Sequence, residues 1–344
     1  MPELYPTAVL IISVSAIVFA YLAAWLAVRV DLVDKPSHRK QHSGHIPLAG
    51  GPAIFASLCF AYLAYGLTPF GLTEVALFGV IFLAGLVDDW RDLSANKRLL
   101  LHLGCGLLMV LAGNFVLYEV GNLLGFGTIS LALLAVPLTA LAFAGVANAY
   151  NMMDGIDGLA SGLVLVPLVA LALLALQTGH PVLPTLVYII IPLLVFLAFN
   201  LGPNTPWLPK IFLGDSGSNL LGFMLCALVV YLSQGQDALI QPVTALWLVA
   251  VPLMDMLATM LLRVLEGHHP MHPDRRHLHH LLQDRGIAAP AARWIIIGYA
   301  GAMAAAGIAL MQTAEYIAMM LFISVFIGHC LFALRARKPI MVDA

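Results

Sequence analysis

Charge is what this sequence has least of. Of 344 residues, 16 are Lys or Arg and 18 are Asp or Glu, so 10% are charged, where soluble globular domains carry about 25%. With 61% hydrophobic residues and a mean hydropathy of +0.95, no stretch is polar enough for a separate water-soluble domain. Residues 1–344 therefore read as a single integral membrane unit. A formal charge of −2 excludes the broad basic field that nucleic acid demands. Cysteine is scarce as well: Cys59, Cys105, Cys226 and Cys330 each lie in an apolar run without CxxC spacing, which argues for packing residues and against disulfides or thiolate metal sites. A basic stretch ahead of the first apolar run is also missing. Only Glu3 precedes that run, so it is expected to be an uncleaved span and not a signal peptide.

Long apolar runs fill the rest. A spanning helix needs about 20 mostly apolar residues, and eleven runs qualify: 7–28, 48–67, 73–88, 98–117, 130–148, 158–176, 183–200, 216–233, 242–262, 293–312 and 317–334. The expected fold is all-α and polytopic, with about eleven transmembrane helices and no internal repeat. Threading the chain through these spans puts every Lys and Arg on one side, while the alternate connections 68–72, 118–129, 177–182, 234–241 and 313–316 carry none. The positive-inside rule makes the basic side cytoplasmic, with the N-terminus periplasmic and the C-terminus cytoplasmic. Nine of the twelve histidines and most carboxylates fall on that side too, so the chemistry is expected to face the cytoplasm.

Five clusters there could carry chemistry. Asp88 and Asp89 close the third run, where a helix C-terminus already presents partial negative charge, so the pair needs a cation. Arg91, Lys97 and Arg98 could simply neutralise it; a divalent metal or a phosphate-bearing substrate is the sharper reading. Asn148, Asn151, Asp154 and Asp157 recur every three residues, which on a helical turn gives one face of hard oxygen ligands suited to Mg²⁺, or merely a polar helix junction. In FLGDSGS, Asp215 or Ser216 reads as an N-cap of the eighth run, although a glycine-rich helix start also suits an anion.

The segment EGHHPMHPDRRHLHHLLQDRG packs six histidines into thirteen residues. Such density suggests zinc, but Arg275 and Arg276 beside the rings disfavour a dication and favour phosphate. Arg39, Lys40, His42 and His45, ahead of Gly50 and Gly51, mark a basic loop that sets topology or touches substrate phosphate. Asp255 stands apart, roughly 12 Å inside the ninth run from Arg263. An intramembrane carboxylate is functional or specifically paired, and Thr259, one turn away, is a candidate partner.

Taken together, VDKPSHRKQH with PLAGG, the Asp88-Asp89 pair, NAYNMMDGIDGLA, FLGDSGS and PDRRHLHHL, in that order over nearly the whole chain, resemble the polyprenyl-phosphate N-acetylhexosamine-1-phosphate transferases. PVTALWLVAVPLMDM and PDRRHLHH are most similar to the branch that uses UDP-N-acetylglucosamine (UDP-GlcNAc) to start O-antigen and common antigen. The muramoyl-pentapeptide branch, with a different histidine loop, comes second, and a 6-deoxy amino sugar donor stays open. The resemblance implies an enzyme of the bacterial inner membrane that joins sugar 1-phosphate to undecaprenyl phosphate with Mg²⁺ or Mn²⁺ and releases UMP.

It further implies roles. Asp215 and Asn151 would be metal ligands, and Asp88 and Asp89 would act on the lipid phosphate. Asn148, Asp154 and Asp157 would hold the nucleotide, or Asp154 and Asp157 would support the metal. His277, His279, His280 and Arg263, with Lys40, would bind the donor phosphates. The expected partners are undecaprenyl phosphate, UDP-GlcNAc and membrane lipid, without nucleic acid; a homodimer stays open. The rival classes are a cation or proton transporter, which would carry ionisable groups near the midplane and a structural repeat, and a zinc-retaining regulatory membrane protein.

Overall fold

The computed structural model describes residues 5–35, 44–91, 93–112, 115–271 and 276–336. Lys40 and the Arg39 and His42 beside it, together with His272 and Arg275, lie outside the described residues. The protein is built of helices: α1 (Pro6–Arg29), α2 (Gly50–Tyr65), α3 (Leu72–Arg91), α4 (Ala95–Leu111), α5 (Ala135–Met152), α6 (Leu159–Thr178), α7 (Leu183–Leu201), α8 (Gly214–Leu232), α9 (Pro242–Leu248), α10 (Ala250–Leu265), α11 (Leu278–Asp284), α12 (Ala289–Leu310) and α13 (Glu315–Ala336). One antiparallel pair, β1 (Val33–Asp34) with β2 (Ile46–Pro47), sets Val33 against Pro47 and Asp34 against Ile46.

Each of the eleven apolar runs falls on a helix, but length and apolarity support a smaller number of spans. Among the described residues, seven helices are long and apolar enough to cross a membrane, or eight if α9 and α10 count as one span. The 16-residue α2 and 17-residue α4 are short, and α3 carries Glu74, Asp88, Asp89 and Arg91. The run 242–262 is not one straight helix. It bends by 79° between α9 and α10, because Pro252 offers no amide to the Leu248 carbonyl four residues back and its ring clashes there. The short α11 was not expected from the apolar pattern.

α8 is the buried axis. From Ser216 to Val230 every residue is buried, as befits a helix with apolar side chains all round. Its neighbours approach through glycine. A Cβ on Gly85 of α3 would lie 2.5 Å from the Ser216 Cα, and one on Gly222 would lie 2.9 Å from the Ala147 Cα of α5. The loop ahead of α2 is laced to the loop ahead of α8: Phe212 N donates to Pro47 O (2.9 Å), Gly50 N to Phe212 O (2.8 Å) and Gly51 N to Leu213 O (3.0 Å). The start of α8 is thereby fixed beside the ends of α3 and α5.

Candidate active site

The first turn of α8 has amides without intrahelical partners, and they are met from another helix. Asp89, near the end of α3, accepts from Asp215 N (2.7 Å) and Ser216 N (3.1 Å) with its two oxygens. Neither Asp215 nor Ser216 is the N-cap that the sequence suggested. The helix begins at Gly214, so both lie inside its first turn, and no side chain of its own caps it. Gly214 adopts a φ of +72°, and a Cβ there would stand 2.6 Å from an Asp89 oxygen. Only glycine lets that carboxylate in.

Capping by Asp89 leaves the Asp215 side chain facing the other acids. Its Oδ1 accepts from Asn151 Nδ2 (2.7 Å) and its Oδ2 from Arg98 NH1 (3.2 Å). Asn151 Nδ2 also reaches Ser218 Oγ (3.0 Å). Arg98 bridges to Asp88 as well, at 2.7 Å. Asp88 is 3% exposed, and its other oxygen takes Leu93 N at 2.5 Å. The cation required by the acidic pair is therefore Arg98, and Asp88 and Asp89 do different work: one pairs with Arg98, the other caps α8.

The loop from α5 to α6 adds the remaining acids. Asp154 is half-buried. Burial, and then the negative charges of Asp215, Asp89 and Asp157, push its carboxyl well above the ordinary carboxylate range. Asp157 pairs with Lys210 at 2.5 Å, and its carbonyl accepts from Arg293 NH1 at 3.1 Å. Asn148 turns elsewhere. It is buried, with Nδ2 on Ala144 O (2.7 Å) and 3.3 Å from His102 Nδ1. The single polar face expected of Asn148, Asn151, Asp154 and Asp157 does not form as such, because α5 ends at Met152 and three helical residues differ by about 60° in azimuth.

The histidine segment reaches the same place. The His279 ring lies directly against Gly155, where a Cβ would collide with Nε2. It is parallel to the His277 ring (8°, centroids 6.1 Å apart) and 4.1 Å from His280. His277 Nδ1 is 2.7 Å from Asp255, so the partner of Asp255 is this ring and not Thr259. Arg263 is buried, with NH1 donating to Pro270 O (2.7 Å).

Whether a divalent ion suits this site is a question of donors. Among the described residues no group of three His, Cys, Asp or Glu stands ready to hold a metal. Mg²⁺ is usually held by one or two carboxylates plus substrate phosphates and water, and Asp215 with Asp154 answers that description. The like charges that raise the Asp154 carboxyl are what a dication neutralises. Asn151 points its amide nitrogen, not its oxygen, at Asp215, so its oxygen is the atom left for a cation. The residues fit.

Residues 72–233 match the model of glycosyl transferase family 4, a stretch that runs from α3 through α8 and includes Asp88, Asp89, Asn151, Asp154, Asp157 and Asp215. The chain is also 34% identical over 323 residues to the undecaprenyl-phosphate alpha-N-acetylglucosaminyl 1-phosphate transferase of Escherichia coli O157:H7, covering 91% of this chain and 87% of that protein. The chain belongs to this family. Proteins of the same name from Yersinia pestis (34% over 332 residues, 94% and 91% covered) and Haemophilus influenzae (34% over 295 residues, 84% and 81%) are similar in the same way. In this family member the sequence pattern offers Arg98 only as one of three cations able to neutralise Asp88 and Asp89, and assigns no site role to Lys210, Arg293 or Ser218. Lys210 had one signal, being the sole cation between α7 and α8.

Proposed function

We propose that this protein transfers N-acetylglucosamine 1-phosphate from UDP-GlcNAc to undecaprenyl phosphate, releasing UMP, as the first membrane step of an O-antigen or common-antigen type envelope polysaccharide. It is a membrane sugar-1-phosphate transferase. The observation that carries the finer reading is the meeting of Asp215, Asn151, Asp154 and Asp157 with Arg98, Lys210 and Arg293 at one end of the bundle. Acids for a divalent ion beside cations for phosphate are what a diphosphate donor needs.

In the reaction, an oxygen of the lipid phosphate attacks the sugar-linked β-phosphorus, and the bond from that phosphorus to the bridging oxygen breaks, its electron pair leaving with UMP. One phosphoanhydride replaces another, so positioning and charge neutralisation are the main tasks. Asp215 and Asp154, with the Asn151 oxygen, would hold Mg²⁺ or Mn²⁺, which when bound draws charge from the diphosphate. Arg98 is the cation beside Asp215 available to the leaving UMP phosphate, and Asp88 holds it in place. Asp89 keeps Asp215 oriented through the first turn of α8. Lys210 and Asp157 would meet the nucleotide, His279, which lies against Gly155, would close over it with His277 and His280 beside that ring, and Arg263 would add charge for the donor phosphates.

A groove of about 680 Å³ runs between α6, α7 and α12, from Gly158, next to Asp157, to Gln177, past Val166, Leu194 and Gly301, with Arg293 at the same end as Gly158. It is an apolar path from the site into the bilayer, suited to the isoprenoid chain. The same reading takes all eleven runs as spans in the bacterial inner membrane, N-terminus periplasmic, C-terminus cytoplasmic and site cytoplasmic. Its support is that Arg98, Lys210 and Arg293 stand with the acids. The test is purified protein with undecaprenyl phosphate, Mg²⁺ and a panel of UDP-sugars. UMP release should depend on the lipid and be fastest with UDP-GlcNAc; no release with any donor sinks the assignment.

A further inference from the structure

Asp255 is the charged side chain in α10 that the site so far leaves unused. It is 3% exposed, and its two oxygens have different donors: His277 Nδ1 on Oδ2 and Leu278 N on Oδ1, each at 2.7 Å. A third group approaches from α13, where His329 Nε2 stands 4.0 Å from Oδ1. The His329 ring in turn lies parallel to Tyr299 of α12 (11°, centroids 6.3 Å apart). One carboxylate thus gathers α10, α13 and the start of α11, within reach of α12. Apolar side chains could fill the same volume without the desolvation cost of a buried charge, so packing alone does not account for it.

What Asp255 holds is the base of the histidine stack. His277 lies parallel to His279, and His279 abuts Gly155, between Asp154 and Asp157. Nδ1 on the Asp255 carboxylate turns Nε2 to the far side of the ring, and a ring nitrogen donates to a phosphate only when it carries a proton, as both do in the imidazolium form. The carboxylate's second bond pins the first amide of α11, fixing the backbone that carries His279 and His280.

We infer that Asp255 is a positioning residue for the transfer reaction, acting through His277: by accepting from Nδ1–H it sets the direction of that ring, so that Nε2–H of the doubly protonated imidazolium donates to the donor diphosphate. The inference rests on the proposed transferase reading. Outer partners of this kind change affinity or activity by about 10–100-fold when removed. Asparagine keeps the shape but has one acceptor for two donors.

The experiment is steady-state kinetics and thermal denaturation of wild type, Asp255→Asn, His277→Ala and the double variant. Asp255→Asn should raise KM for UDP-GlcNAc by about 10–100-fold and leave KM for undecaprenyl phosphate unchanged. In the His277→Ala background the same change should add no further loss in kcat/KM, because residues acting as a unit are non-additive. Equal losses in both backgrounds, as a purely structural hold on α11 would give, overturn the inference, as does an equal rise in both KM values. If Asp255→Asn does not fold, Asp255→Glu, which keeps the charge and displaces the ring, must show the same non-additivity. Wild-type protein that releases no UMP from any donor fails the transferase reading itself; additive losses in an active enzyme fail only Asp255.

Discussion

Asp89 and Asp215 touch through one hydrogen bond, yet replacing each by Asn should give opposite results. Asp89 accepts two backbone amides at the start of α8. Asparagine has one acceptor oxygen, and its amide group would face the second N–H. The loss is one hydrogen bond to a charged group, about 1.5–3 kcal/mol, and the favourable charge at a helix N-terminus, about 0.3–1 kcal/mol; together these cost at most about 2–4 kcal/mol, reduced by the burial and like-charge repulsion that the neutral side chain escapes. Asp215→Asn removes an Arg98 contact at 3.2 Å that is a quarter to a third exposed, which contributes about 0–1 kcal/mol, and it also relieves repulsion among Asp89, Asp154 and Asp215. Its cost in stability should be near zero, while transfer is abolished because the charge that would hold the divalent ion is gone. The assay is denaturation of both variants in the same detergent, alongside UMP release at saturating Mg²⁺. If Asp89→Asn is as stable as wild type, or if Asp215→Asn retains near-normal turnover, the division of labour is refuted.

Three further outcomes are expected. Gly155→Ala places a methyl group in the His279 ring and should raise KM for UDP-GlcNAc by about 10-fold, the scale of a displaced supporting contact; unchanged donor kinetics would show that the ring does not close the nucleotide site. Because the Asp154 carboxyl is raised by burial and neighbouring charge, it stays protonated above the usual carboxylate range and ionises only as pH rises. The Mg²⁺ concentration needed for half-maximal rate should therefore fall with increasing pH, and Asp154→Asn should flatten that dependence; a wild-type requirement independent of pH counts against Asp154 as a ligand. Val166→Trp, which fills the groove along α6, should raise KM for undecaprenyl phosphate and leave that for UDP-GlcNAc alone, and equal effects on both would move the isoprenoid chain elsewhere.

The residue types needed for the chemistry are visible in the chain because each cluster stands at the end of an apolar run, where polar residues have no packing role. What cannot be seen there is which cluster meets which. Asp89 and Ser216 are 127 residues apart, and nothing in the local pattern of FLGDSGS says that its cap comes from α3. Asn148 and Asn151 look equivalent at a spacing of three, but one faces His102 on α4 and the other Asp215 on α8. The run 242–262 reads as one span because its apolarity is unbroken; the bend comes from an amide that Pro252 lacks. Asp255 looks like an isolated intramembrane acid until the segment ahead of α11 folds back onto it.

The lacing of Pro47, Gly50 and Gly51 to Phe212 and Leu213 also sets the order in which the molecule can be completed. A ribosome delivers α2 and α3 long before it reaches residue 212. Until α8 enters the bilayer, Asp89 has no amides to accept from, and Gly51 and Gly85 have nothing to pack against. The nascent chain must therefore hold its acidic end solvated at the membrane surface through five intervening connections. A chain cut short before Leu213 could still insert its early helices, but it would have no site.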